Sequence, residues 1–221
     1  MASTAYTLVV GSKQVSSWSL RPWILMKQAG IAFDEVVIRL RQIGTSAQIL
    51  DHSPAGLVPV LKHGALTIWD SLAIAEYLNE QHADRQLWPA AAAERAQARS
   101  VSAEMHSGFR DLRIGLSMEF SGRGLTPAIN EQCAKDIRRI ATVWRDTRKA
   151  HGAVGPFLFG AFSIADAMYA PVASRFTSYG TKLADYGDDG SAEAYRAMMM
   201  ALPSMAEWAK GAVAEPPLKD N

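Results

Sequence analysis

Every strand-like run in this chain ends before residue 70, and every long segment after residue 90 carries helical spacing. No other feature limits the possible folds as strongly. Thr7–Val10 is a short β-rich run, and Leu20–Ala29 is helix-like and closes at Gly30, a residue suited to the position after a helix. Val36, Ile38 and Leu40 alternate with Glu35, Val37 and Arg39, the period of a strand. Thr45–His52 reads as a short irregular helix. Val58–Leu61 and Ala65–Trp69 flank Lys62-His63-Gly64, a tight hairpin turn. Ser71–Gln81 is a helix that can bury Leu72, Ala75, Tyr77 and Leu78. The order is β-α-β-α-β-β-α, with a crossover joining the first two strands and antiparallel pairing of the last two.

Residues 83–89 form a polar connection ending in Trp88-Pro89. Beyond it, helices are expected over 90–118, then after Thr126-Pro127, which fits an N-cap and a first-turn proline. That helix carries Ile129, Cys133, Ile137, Ile140 and Trp144 in one apolar stripe. Further helices are expected over 163–179, 191–202 and 203–213. The chain therefore divides into a small α/β domain, residues 1–82, and an all-α domain, residues 90–221. No internal repeat is present.

Charge and cysteine content narrow the function. The 23 basic and 22 acidic residues nearly cancel and form no block, which argues against nucleic acid or a membrane surface as partner. A single cysteine, Cys133, forbids an internal disulfide and suggests a reducing compartment; its place on an apolar stripe makes it a packing residue. The N-terminus lacks a basic start followed by a long apolar run, so no signal peptide is expected. The greasiest stretch, 157–172, is broken by Ser163, Asp166 and Pro171 and is too short and polar to span a bilayer. A soluble, cytoplasmic protein is expected. Five scattered histidines and one cysteine show no zinc spacing, so no metal is expected. Gly152, Gly155 and Gly160 do not form a phosphate loop, and Met198–Met200 reads as core. Asp166, third after Ser163, reads as part of a helix capping box rather than a catalytic acid.

Three local features carry chemistry. Pro59 interrupts an apparent strand, where proline removes a ladder donor. A cis bond before it, costing only about 0.5–1 kcal/mol for X–Pro, would turn the Val58 backbone away from its own sheet toward an extended peptide ligand. An ordinary trans proline on an edge strand is the alternative. Trp69-Asp70-Ser71-Leu72 sits where a strand meets a helix. That helix start and the Ser71 hydroxyl suit a carboxylate, and Asp70 suits an ammonium group; both are also simple helix caps. In Ser16-Ser17-Trp18-Ser19-Leu20-Arg21-Pro22-Trp23, Ser16 or Ser17 lies just before a helix N-terminus. A hydroxyl donor and a partly positive helix end both favour thiolate over thiol.

Together "SSWSLRPW", "SPAGLVPVL" and "WDSLAIAEYL", with "GPFLFGAFSIADAMYAPVASRF" later in the chain, resemble the soluble glutathione S-transferase family, serine-type and zeta/theta-like. The resemblance spans nearly the whole chain. It implies a thioredoxin-like N-terminal domain, an all-α C-terminal helical domain, glutathione as cosubstrate and a homodimer. It makes Pro59 a cis-proline with Val58 pairing with the cysteinyl backbone of glutathione, and gives Asp70 and Ser71 the γ-glutamyl end. Ser17, or its neighbour Ser16, faces the sulfur. Glu104 matches an acidic position that in some classes reaches the partner subunit's glutathione, and Arg175 one that faces the second substrate in zeta-like enzymes. His106 is a candidate for lining the electrophile site. Two positions depart from the family: Trp18 replaces the cysteine of Ser-Ser-Cys-x-x-Arg, and Leu57 stands where a polar residue often precedes Val-Pro. Gln42 or His52 is assigned the contact that Leu57 cannot make.

The expected activity is transfer of glutathione to a small hydrophobic electrophile. The alternatives are a glutathione-dependent cis–trans isomerase of the maleylacetoacetate type, with Arg175 on a substrate carboxylate, and a non-catalytic regulatory module.

Overall fold

The computed structural model describes residues 5–216 of the 221; the outermost parts of both expected domains, residues 1–4 and 217–221, lie outside the described residues. Four strands form one mixed sheet in the order β2-β1-β3-β4. β1 (Tyr6–Gly11) and β2 (Asp34–Ile38) are parallel, with Val9 opposite Val36, and α1 (Ser17–Gln28) makes the crossover between them. β3 (Val60–His63) and β4 (Leu66–Trp69) form the expected hairpin, and β3 runs antiparallel to β1. α2 (Thr45–Leu50) lies between β2 and β3, and α3 (Ser71–Gln81) follows β4. One side of the sheet buries Leu8, Val10 and Leu61 beneath α1 and α3, while Val9, Ile38 and Val60 make a smaller cluster with Ile49 of α2 on the other.

The helical part comprises α4 (Ala92–Ser107), α5 (Arg110–Gly115), α6 (Glu131–His151), α7 (Ile164–Ser178), α8 (Ser191–Met200) and α9 (Pro203–Ala214). Two sequence expectations are corrected. The helix expected over 90–118 breaks at Gly108-Phe109. A Cβ on Gly108 would lie 2.8 Å from the Glu104 carbonyl oxygen, and Phe109 takes a left-handed φ of 58° while its ring is buried. The next helix starts after Asn130, not Thr126, because the Asn130 side chain caps the Cys133 amide at 2.7 Å. Ile129 consequently drops out of the apolar stripe and is partly exposed; Cys133, Ile137, Ile140 and Trp144 remain fully buried.

α7 is the central helix of this part and buries almost its whole surface. Its capping box is formed as expected. The Asp166 carboxylate accepts from the Ser163 amide (2.9 Å) and hydroxyl (3.0 Å), and from Leu158 N and Tyr195 OH, both at 3.0 Å. α1 packs against α7, and Trp23 of α1 meets Trp208 of α9 edge to face at 5.1 Å between ring centres. The sheet and the helices thus share one continuous core through α1. Among the described residues no helix is long and apolar enough to cross a membrane.

Candidate active site

A cleft of about 380 Å³ opens beside the N-terminus of α3, lined by Trp18, Ala55, Leu57, Val58, Pro59, Trp69, Asp70 and Ser71. The Val58–Pro59 bond is cis, and the β3 ladder begins only at Val60. Pro59 therefore stands just outside the strand rather than inside it, which resolves the conflict its position posed. Val58, Pro59, Asp70 and Ser71, four residues singled out from sequence, come together here.

Asp70 has a φ of 74°, and its Oδ1 accepts from Leu72 N (2.8 Å) and Ala73 N (3.2 Å). It is the helix cap, and its side chain is still 42% exposed, with Oδ2 shared between solvent and His106. The Ser71 amide, first in the helix, has no partner one turn earlier. Beneath it, the buried Arg21 guanidinium donates Nη1 to Ser71 Oγ at 3.2 Å. The Ser71 oxygen thus accepts from a cation, which leaves its proton free to donate, and Ser71 lines the cleft. The Arg21 Nε has no partner among the described residues. Burial, then the neighbouring Arg113 and Arg175, push Arg21 down to about 9 against the pull of Asp70, so it stays charged at neutral pH.

A second arginine repeats the device. Ser16 is the N-cap of α1 and Ser17 its first residue; both are buried and neither is among the residues lining the cleft. Arg175 of α7 donates Nη2 to Ser17 Oγ at 3.1 Å and Nη1 to the Leu116 carbonyl. Ser16 Oγ instead donates to Ser19 Oγ at 2.8 Å, which also accepts from Gly11 N at 2.9 Å. The Ser16 proton is spent inside the fold, whereas Ser17 keeps its proton to donate. Arg175 is 5% exposed, and burial, then Arg113, push it down to about 10. It is thus a buried partner of Ser17 and two backbone carbonyls, Leu116 and Arg113, rather than an open anion receptor.

Trp18 fills the place between these groups. Arg21 lies over its ring at 4.3 Å and Arg113 at 5.0 Å, and His106 meets it edge-on at 5.2 Å. His106 also brings Nε2 to 3.2 Å from Asp70 Oδ2. Burial holds the imidazole below its ordinary value, Asp70 opposes this, and Arg21 and Arg113 add to the lowering, so it is neutral at pH 7. His106 therefore lies at the Asp70 corner of the site, between Asp70 and Trp18.

Three expected residues, Glu104, Gln42 and His52, lie elsewhere. Glu104 is held in a bidentate pair by Arg139 at 2.7 and 2.9 Å. Gln42 donates its amide to Thr45 Oγ1 at 3.0 Å in the turn before α2 and is absent from the cleft lining; its Nε2, like His52 Nδ1, has no partner among the described residues. Sequence reasoning missed Arg21 and Arg113 as site residues. An arginine inside an otherwise apolar first helix was the available signal for Arg21; nothing marked Arg113. Among the described residues no group of three or more histidine, cysteine or acidic side chains could hold a metal ion.

Comparison with known proteins identifies the family and the fold. Residues 15–81 match the family model for the glutathione S-transferase N-terminal domain, and residues 124–210 that for the C-terminal domain. A probable maleylacetoacetate isomerase from Caenorhabditis elegans is 31% identical over 96 residues, 43% of this chain and 44% of that one. A glutathione S-transferase from Pseudomonas putida is 28% identical over 151 residues, 66% of this chain and 64% of that one. The alignments thus span less than two thirds of these relatives. Among solved structures, a glutathione transferase homologue from Burkholderia gl BGR1 with bound glutathione superposes with a TM-score of 0.69 at 24% identity, covering 95% of this chain and 99% of that one.

Proposed function

Because this chain belongs to the glutathione S-transferase family, we propose that it binds glutathione in the cleft beside Pro59 and activates the thiol for attack on a small hydrophobic electrophile. The observation that carries the reading is the Arg175–Ser17 contact at the first turn of α1. In this reading the γ-glutamyl carboxylate docks on the Ser71 amide and hydroxyl and the ammonium on Asp70. The cysteinyl backbone pairs with Val58, and the sulfur meets the Ser17 proton. No metal takes part in these steps.

Three effects lower the thiol pKa: the Ser17 hydrogen bond, the α1 N-terminus and the Arg175 charge behind the serine. A charge-assisted hydrogen bond contributes about 1.5–3 kcal/mol and a helix end about 0.3–1. Their sum corresponds to roughly one to three pKa units, enough to ionise a thiol of ordinary pKa about 8.5 near neutrality. Once the sulfur carries charge, it attacks the electrophilic carbon; the C–S bond forms as the leaving group departs or the double bond takes the electron pair. Trp18, Leu57 and Trp69 supply apolar wall for that second substrate. The protein acts as a homodimer in the cytoplasm, where reduced glutathione is plentiful. Glu104, held by Arg139, stays on the surface as a candidate contact with the partner subunit.

The test is direct. Calorimetry should show glutathione binding, and ultraviolet absorbance against pH should show a thiolate forming below pH 8 in the complex. Absence of binding would refute the reading and favour a regulatory module. Turnover of a cis-dienoic diacid without turnover of an aryl halide would favour isomerisation; the burial of Arg175 weighs against that outcome, since a substrate carboxylate would have to displace carbonyl and serine partners.

A further inference from the structure

The turn that carries the two serines is gripped from the far end of the chain. Ser12 O accepts from Val15 N (3.1 Å) and Ser16 N (2.8 Å), so Lys13 and Gln14 are the apex of a turn that sets Ser16 and then Ser17. At this apex, Glu215, just beyond α9, accepts the Lys13 amide on Oε1 at 2.6 Å and the Gln14 amide on Oε2 at 3.5 Å. Trp208 of α9 donates Nε1 to the Lys13 carbonyl at 2.9 Å. The Lys13 ammonium pairs with Glu35 at 2.7 Å and lies over the Trp23 and Trp208 rings at 5.2 and 5.3 Å. On the opposite side, Gln14 O accepts from Phe120 N at 2.9 Å and Gln14 Oε1 from Ser121 Oγ at 2.8 Å.

We propose that Glu215 is a positioning residue: its carboxylate fixes the Lys13–Gln14 apex and so holds the Ser17 hydroxyl toward the sulfur of a bound thiol. This rests on the reading of Ser17 as the sulfur-facing serine. The backbone of residues 13 and 14 ties the α/β part to a segment some 200 positions away, and a carboxylate on two successive amides fixes direction as well as distance. Position and charge make opposite predictions. A negative charge near the site disfavours thiolate, so its removal alone would lower the thiol pKa. Loss of the tether, by moving Ser17, raises it.

The experiment compares Glu215→Ala, Glu215→Gln and Glu215→Asp in the full-length chain, with Ser17→Ala as reference and circular dichroism to confirm folding. Hydrogen exchange at amides 13–16 should quicken in the Ala and Asp variants. The ionisation midpoint of bound glutathione should rise by about half to one unit in both, leaving three- to tenfold less thiolate at a pH below the midpoint. Glu215→Gln, whose single amide oxygen can keep the short Lys13 contact and loses only the long one to Gln14, should stay closer to the wild-type midpoint than either of the other two. Affinity for S-methylglutathione, which has no ionisable thiol, should stay within about twofold throughout. An unchanged midpoint in Glu215→Ala and Glu215→Asp, or a fall in the Ala and Gln variants alike, overturns the proposal. If Ser17→Ala raises the midpoint and Glu215→Ala does not, only the positioning role fails; if neither does, the serine assignment fails with it.

Discussion

Two serines in this fold are held by their oxygens on buried guanidinium groups: Ser71 on Arg21 and Ser17 on Arg175. Each then has a single proton to offer, and one cation behind it strengthens that donor. Ser17→Ala should therefore raise the midpoint of bound-thiol ionisation by about one to two units, while Ser16→Ala, whose hydroxyl serves Ser19, should leave it in place; ultraviolet titration of the two complexes reads the difference, and the reverse pattern would assign the sulfur contact to Ser16. Arg21→Met should weaken glutathione binding about tenfold by calorimetry, the loss of one charge-backed hydrogen bond, with a smaller effect on the thiol midpoint. Cys133 is fully buried, and burial with the nearby Asp136 and Asp111 pushes its thiol up to about 11. It should resist alkylation at pH 7 in the folded protein and react only on unfolding.

At the level of single elements, the start of α7 is the most exposed to test. Burial raises the Asp166 carboxyl to about 6 from 3.8, outweighing the donors at Leu158, Ser163 and Tyr195. A raised folded-state value means the native protein holds this proton more tightly than the unfolded chain. Its contribution to stability is thus complete below about pH 4 and is lost as pH rises through about 6. Relative to Asp166→Asn, which does not titrate, the wild type should lose about 2–3 kcal/mol of stability between pH 4 and pH 7, measurable by urea unfolding at both values. A pH-independent difference would mean that the donors keep the carboxyl ionised throughout. The capping signals at α7 were readable because both partners lie within four residues. The start of α6 differs from the expected Thr126 because the cap is made one turn later, by the Asn130 side chain on the Cys133 amide.

For the molecule as a whole, the sheet and the helices are not separable bodies. α1 packs on α7, Trp23 on Trp208, and Arg175 reaches Ser17 from 158 positions away. Urea unfolding followed by far-ultraviolet dichroism and by tryptophan fluorescence should therefore give coincident transitions; two separated steps would show that the shared core does not couple the parts. The sequence by itself determined the strand order, the hairpin and the capping box of α7, because each rests on local periodicity, turn chemistry or neighbours within a few residues; that Pro59, Asp70 and Ser71 share one site came from the family resemblance of their motifs. Only the tertiary structure decided that Ser16 pairs with Ser19 while Arg175 backs Ser17 from inside the core, that His106 meets Asp70, and that Glu215 contacts the turn before α1. Apart from the Ser16–Ser19 pair, those contacts join residues tens to hundreds of positions apart, and their energies depend on burial that no local pattern encodes.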